Sequence, residues 1–280
     1  MRLTDILIVS DFDNTLTGEG HQVPQVNRDA VQRFIDAGGA FTVGTGRARN
    51  FFAPQKDQVP RNAPCVLSNG ATLYDYETDE TLYMASFSEA ELALIPQLLP
   101  LVGPNMRMTV EAGYQDYMPD ELWNWEDPDA WMPSWWKENA HKIEKIALPK
   151  PPKHVPLAEI PQPWIKLVFT GDQPGIDALG AAAEAMGLRG VYSMPGMYEI
   201  QPFGVDKGSG ARRLAHMLGR SVLVCIGDAP NDTAMLREAD YAFVPISADP
   251  EMQAMGFRPC AHMNDGAVAD VIAQLMQMCE

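Results

Sequence analysis

The 280-residue sequence holds only four cysteines, Cys65, Cys225, Cys260 and Cys279, with no close pairing and no zinc-ligand spacing. That argues against a disulfide framework, a cysteine metal site and an oxidising compartment. Cys225 lies inside the apolar run 221–226, the setting of a buried and inert thiol. Long apolar runs are also missing. Nothing reaches the ~18 residues of a membrane span, and the run Ile6 to Val9 is too short for a signal-peptide core. Basic residues are scarce, 21 Lys and Arg against 37 Asp and Glu, for a net charge of -16. Such a field disfavours nucleic acid and anionic lipid as partners. It also repels a phosphorylated ligand unless local cations reverse it. With 46% apolar and 21% charged residues, global disorder is excluded, leaving an acidic globular protein expected in the cytoplasm. The sequence does not distinguish a monomer from a homodimer.

A length of 280 residues predicts about two domains at a typical ~150 each. Strand and helix patterns alternate at both ends. Ile6 to Ser10 reads as a buried strand, followed by a helix capped by Asn27 and stopped by Gly38-Gly39. Ala40 to Gly44 and Cys65 to Leu67 read as further strands. Near the other end, a helix over 209–218, strands over 221–226 and 241–244, and a last helix capped by Asp265 repeat the rhythm. The fold class is therefore α/β, a doubly wound parallel sheet. Between these halves the texture changes. Ser88 to Glu91 is a capping box before an apolar helix through Leu99. Trp123, Trp125, Trp131, Trp135 and Trp136 then crowd together, and eight acids face one base over 111–138. A Pro-rich linker over 149–163, a strand from Trp164, a helix over 175–186 and a strand over 197–201 complete an α+β insertion. The expected division is a discontinuous core, 1–85 and 200–280, around an inserted cap, 86–199.

Four strand ends carry chemistry. Asp11-Phe-Asp-Asn-Thr15 places two carboxylates directly after the first strand, where open α/β sheets bind ligands. Acids this close need a cation or a shared proton, and Mg²⁺ is the natural oxygen-ligated ion. The alternative is an Asx-turn. Thr45-Gly46-Arg47 offers a hydroxyl and backbone N–H groups to an anion, but lacks the third glycine of a dinucleotide fingerprint. Lys207 opens a helix and adds its charge to the helix dipole, unless it is an ordinary surface lysine. In Gly227-Asp-Ala-Pro-Asn-Asp232, Asp228 and Asp232 can add oxygen ligands, while Asn231 or Asp232 can cap the next helix.

In this order, the four elements resemble the haloacid dehalogenase superfamily, and most closely its Cof-type sugar-phosphatase branch. The match comprises D-x-D-x-T at 11–15, T-G-R at 45–47, S-N-G-A at 68–71, Lys207 and G-D-x-x-N-D-x-x-M-L at 227–236. Asn14 stands where Gly is commoner. The resemblance covers the core, and over the cap rests only on position and size. It implies Asp11 as the nucleophile that forms an aspartyl-phosphate and Asp13 as general acid and base. It implies Mg²⁺ held by Asp11, the backbone carbonyl of Asp13 and Asp228. It also implies phosphoryl contacts from Thr45, Gly46, Lys207 and Asn231, with Asp232 acting on the neighbours of the metal and Arg47 a candidate substrate contact. The implied activity is Mg²⁺-dependent hydrolysis of a small phosphorylated metabolite. Alternatives are a phosphomutase or phosphotransferase on the same fold and a non-catalytic phospholigand sensor. For the tryptophans, packing in the cap competes with stacking on a sugar face. His141, Lys142 and Lys145 are either an anion-recruiting group or a solvated helix face.

Overall fold

The computed structural model describes residues 1–122 and 152–279. The chain divides into two compact units. One comprises Met1–Arg47, Phe52–Tyr83 and Val205–Glu280, and the other Ala48–Phe51 and Met84–Gly204. In chain order the strands are β1 (Ile6–Ser10), β2 (Ala40–Val43), β3 (Cys65–Leu67), β4 (Thr72–Asp75), β5 (Glu80–Met84), β6 (Arg107–Ala112) and β7 (Gln115–Pro119). They continue with β8 (Lys153–Val155), β9 (Trp164–Thr170), β10 (Arg189–Met194), β11 (Met197–Gln201), β12 (Val222–Ile226), β13 (Tyr241–Pro245) and β14 (Arg258–Cys260). The helices that matter to the core and the site are α1 (Gln25–Asp36), α2 (Gln173–Ala185), α3 (Lys207–Met217), α4 (Thr233–Glu238) and α5 (Ala267–Met278). Among the described residues no helix is long and apolar enough to cross a membrane.

The first unit is built on a parallel sheet ordered β14-β13-β12-β1-β2. Side chains alternate across it. Leu7 and Val9 of β1 pack with Ala211 and Leu214 of α3 and with Met235 and Leu236 of α4. Ile6 and Ile8 point the other way and are equally inaccessible. Both faces are covered, so β1 is apolar in nearly every residue rather than alternating. The predicted strand at Cys65–Leu67 forms, but it belongs to a second sheet ordered β3-β4-β5. It touches the parallel sheet through an isolated bridge from Val66 to Gly44.

Two predicted caps are corrected. Helix α1 begins at Gln25 after Pro24, and Asn27 lies buried inside its first turn. Its Nδ2 donates to Leu16 O at 3.0 Å and its Oδ1 accepts from Ala269 N at 2.9 Å. Asn27 thus satisfies the first turn of α5 from another helix. Asp265 does not cap α5, which follows Gly266 in the left-handed region at φ 93°.

The second unit carries a six-stranded sheet ordered β10-β11-β9-β6-β7-β8. One face is an apolar core in which Val110, Leu167, Phe169 and Ile200 meet Ile176, Leu179 and Ala183 of α2. The Ser88–Glu91 capping box forms, but the α-helix ends at Leu92. The rest becomes a 3₁₀ segment, Ile95–Leu101, because Pro96 and Pro100 lack the N–H groups an α-helix needs. Part of the expected linker is the strand β8, paired in parallel with β7. The tryptophans from 123 to 136, and His141, Lys142 and Lys145, lie outside the described residues.

Candidate active site

Strands β12, β1 and β2 are neighbours, so their carboxyl ends lie side by side at one edge of the parallel sheet. Backbone hydrogen bonds lace those ends together. Asp11 N donates to Ile226 O at 2.8 Å, and Gly44 N donates to Ser10 O at 2.8 Å. After Asp11 the chain turns tightly through Phe12–Leu16, with Asn14 at φ 59°. Asparagine tolerates that conformation better than most residues, which explains how it substitutes for glycine here.

Three carboxylates converge at this edge. Asp11, Asp228 and Asp232 each offer an oxygen, and these atoms all lie within 4.8 Å of one another. Lys207, fully buried, donates from Nζ to Asp11 Oδ1 at 2.6 Å and to Asp232 Oδ1 at 2.7 Å. The other oxygen of Asp232 accepts the backbone N–H groups of Asp228 (3.0 Å) and Ala229 (3.1 Å). A Cβ on Gly227 would fall 2.5 Å from the Asp232 side chain, so that approach requires glycine. Asp206 caps α3 and exchanges hydrogen bonds with Ser209, which fixes Lys207 as the first helical residue. Thr15 donates its hydroxyl hydrogen to Asp228 Oδ1.

Burial opposes the charge on Lys207, but Asp11 and Asp232 outweigh it and hold the ammonium above its ordinary range. Burial, then Asp232, push Asp11 well above the usual carboxylate range against the pull of Lys207. Burial and Asp232 likewise push Asp228 up to about 7, despite the hydroxyl of Thr15. Three carboxylates against one ammonium leave excess negative charge, and every donor is a hard oxygen. That set fits an oxygen-ligated dication such as Mg²⁺.

Asp13 sits apart from this cluster. Arg47 donates to it twice, from Nε to Oδ2 at 2.8 Å and from Nη2 to Oδ1 at 2.7 Å. His21 Nδ1 approaches Oδ1 at 3.4 Å. Burial raises the Asp13 pKa, but the charge of Arg47 and the contacts with His21 overcome it and hold the carboxyl well below its ordinary range. Arg47, expected as a substrate contact, is therefore committed to Asp13 in this structure.

The Thr45–Arg47 loop is braced from below. Asn69 N donates to Thr45 O at 3.1 Å and Ser68 N donates to Arg47 O at 3.0 Å. Thr45 is buried, and its Oγ1 accepts from Arg47 N at 3.2 Å. Asn231 lies half-buried in the 3₁₀ turn that precedes α4.

A family profile described as haloacid dehalogenase-like hydrolase matches residues 8–272. The chain belongs to that family. The 5-amino-6-(5-phospho-D-ribitylamino)uracil phosphatase YwtE of Bacillus subtilis (strain 168) is 22% identical over 291 residues, spanning 96% of this chain and 97% of its own. A haloacid dehalogenase-like hydrolase from Bacteroides thetaiotaomicron superposes with a TM-score of 0.73 at 19% identity, covering 96% of this chain and 98% of that one. A sugar phosphatase of subclass IIB of the superfamily gives 0.76 at 14% identity, with coverages of 96% and 98%. At these identities the structures establish the fold, a parallel-sheet core with an extra sheet unit.

Some features of this haloacid dehalogenase-like site escaped the sequence reading. His21 beside Asp13 carries no spacing signal. The Ser68-Asn69-Gly70 arch was visible only as part of a family motif. Its three residues all have positive φ, at 51°, 52° and 91°. A Cβ on Gly70 would lie 2.0 Å from Asp206 O, at the start of α3. One short arch therefore supports both the Thr45 loop and the helix that carries Lys207.

Proposed function

We propose that this protein is a Mg²⁺-dependent phosphatase of small phosphorylated metabolites that acts through an aspartyl-phosphate. The observation that carries the reading is Lys207 bridging Asp11 and Asp232 beside Asp228 at the sheet edge. Membership of a hydrolase family and relatives named as phosphatases support the reaction class. The named substrate of the Bacillus relative is a phosphate ester on a ribityl group, and one structural neighbour is a sugar phosphatase. Both support a small phosphomonoester as the ligand.

Asp11 is the nucleophile. One of its carboxylate oxygens forms a bond to phosphorus as the ester P–O bond breaks. Asp13 gives its proton to the departing alkoxide oxygen. Asp13 then takes a proton from a water molecule, whose oxygen attacks phosphorus, releasing inorganic phosphate and restoring Asp11. Lys207, Thr45 and the backbone N–H of Gly46 hold phosphoryl oxygens, and Asn231 orients ligand or water. Asp232 keeps Lys207 charged and in place. Asp11, Asp228 and the Asp13 carbonyl would hold Mg²⁺, which would supply charge neutralisation between an anionic nucleophile and an anionic ester.

The test is phosphate release from p-nitrophenyl phosphate and a panel of sugar and polyol phosphates, with Mg²⁺ or with EDTA. Sustained release with Mg²⁺ and loss in EDTA is expected. Absence of release from every ester with Mg²⁺ overturns the reading, and isomerised phosphate esters without net release indicate a mutase instead.

A further inference from the structure

The segment 18–22, which leads from the turn after Asp11 toward α1, has no part in the proposed chemistry. Glu19, Gly20 and Gln22 are exposed, while Gly18 and Val23 at its ends are buried. Locally it is a tight turn. Gly18 N donates to Gln22 O at 2.9 Å, and His21 N donates to Gly18 O at 3.2 Å. Gly20 and His21 both take positive φ, at 77° and 56°. A loop that only reversed the chain would be served by glycine at 21, which adopts that conformation at no steric cost. What the histidine adds is its ring, whose Nδ1 lies 3.4 Å from Asp13 Oδ1.

Two side chains distant in sequence hold this segment from outside. Asn264 Oδ1 accepts from Glu19 N at 2.8 Å. A Cβ on Gly18 would fall 2.6 Å from the same oxygen, so glycine there is what lets Asn264 come in. Gln58 spans the other end, its Nε2 donating to His21 O at 3.3 Å and its Oε1 accepting from Val23 N at 3.1 Å. Each latch is itself braced. Asn264 N donates to His262 Nδ1 at 3.2 Å and Met263 N donates to Ser247 Oγ at 3.1 Å, while Gln58 Nε2 also donates to the buried Gln55. An exposed polar loop without such ties opens easily, and a left-handed residue other than glycine persists only where its surroundings over-determine it. Here three bonds from two other parts of the first unit fix the backbone on both sides of the imidazole.

Arg47 Nη2 and His21 Nδ1 address the same oxygen of Asp13. Under the proposed function a phosphoryl group would draw the guanidinium away, and the imidazole would remain to keep the carboxyl aimed at the leaving oxygen. Such aim matters, since a misplacement of about 1 Å in a reacting group costs up to roughly 10²-fold in rate. We propose that His21 is a positioning residue for Asp13, and that Asn264, 251 residues further along the chain, is a remote latch for the loop that presents it. The kinetic consequence rests on the phosphatase reading.

The test compares kcat/KM on sugar and polyol phosphates with kcat/KM on p-nitrophenyl phosphate, in the full chain with Mg²⁺. An alkoxide needs a proton to depart, whereas p-nitrophenolate leaves without one, so a misplaced acid is felt on the first class alone. His21→Gly, which leaves residue 21 free to keep its φ, is expected to lower kcat/KM on the alkyl esters about ten-fold or more, and on p-nitrophenyl phosphate far less. His21→Asn tolerates positive φ and sets an amide N–H close to where Nδ1 stands, so it restores most of the loss. Asn264→Ala gives the same selective fall with little change in thermal midpoint. A second arm needs no turnover. In the ligand-free protein at neutral pH, the Asp13 carboxyl ¹³C resonance shifts in His21→Gly and in Asn264→Ala, and returns toward its wild-type position in His21→Asn. The proposal is overturned if His21→Gly spares the alkyl esters, if His21→Asn restores nothing, or if Asn264→Ala leaves either readout at its wild-type value. A parallel loss on every ester with a lower thermal midpoint also overturns it, since the segment is then only structural. If the wild type hydrolyses no ester, the phosphatase reading fails, while the ¹³C arm still decides whether His21 and Asn264 place Asp13.

Discussion

Arg47 grips Asp13 with both arms of its guanidinium, at 2.8 Å and 2.7 Å, and so holds ionised the carboxyl group proposed to donate a proton. Under the proposed function, a phosphate anion at the Thr45–Arg47 loop would compete with Asp13 for that guanidinium. As the grip weakens, burial favours the protonated form that the leaving group needs. In Arg47→Gln the titration of Asp13, followed by carboxyl ¹³C NMR of the ligand-free protein, is expected to move upward, because His21 alone opposes burial. An unmoved titration contradicts this account of the pair.

Loss of the acid and base should affect turnover more than binding. Asp13→Asn is expected to lower kcat by roughly 10²–10⁴-fold, the usual weight of general acid–base catalysis. Steady-state kinetics with Mg²⁺ checks it, and a change confined to KM is inconsistent with the proposed role.

The crowded acids predict a pH dependence of stability. Asp11 and Asp228 have folded pKa values raised by burial and by Asp232, so the folded state binds more protons than the unfolded state between the two values. In that window, from about 4 upward through about 7 for Asp228, stability falls as pH rises. In EDTA the thermal midpoint is therefore expected to be higher at pH 6 than at pH 8. Added Mg²⁺ should raise it, and more so at pH 8, where these carboxylates are ionised. Thermal unfolding across both pH values, with and without Mg²⁺, gives the comparison.

Gly70 couples two parts of the site through one close approach. Gly70→Ala puts a Cβ against Asp206 O and a side chain at φ 91°, and positive φ alone costs about 1–3 kcal/mol in a residue other than glycine. The expected outcome is a lower thermal midpoint together with reduced kcat, since α3 must shift and carry Lys207 with it. Calorimetry and phosphate release measure the two effects, and a fully active, fully stable variant contradicts the arch as a support.

The parts of the fold that were legible in the sequence are those set by local rules. β1 reads as a run of apolar residues because helices bury both its faces, and α3 reads from the spacing of Ala211, Leu214 and Ala215. The strand-end motifs were legible because Asp11, Thr45 and Asp228 each stand directly after a strand or one residue beyond it. Asn27 was misread because a buried asparagine that links Leu16 to Ala269 looks, in sequence, like a cap. The clamp of Arg47 on Asp13 spans 34 residues, and the bridge from Lys207 to Asp11 spans 196. No periodicity records such pairings.

The most direct test of the central claim is to quench a reaction with a phosphate ester and Mg²⁺ in acid and locate the phosphoryl group by peptide mass spectrometry. The account predicts a phosphorylated peptide with the group on Asp11, absent from Asp11→Asn, which should retain its fold and lose turnover by roughly a thousand-fold. Phosphate attached to any other residue, or near-wild-type turnover by Asp11→Asn, would contradict it.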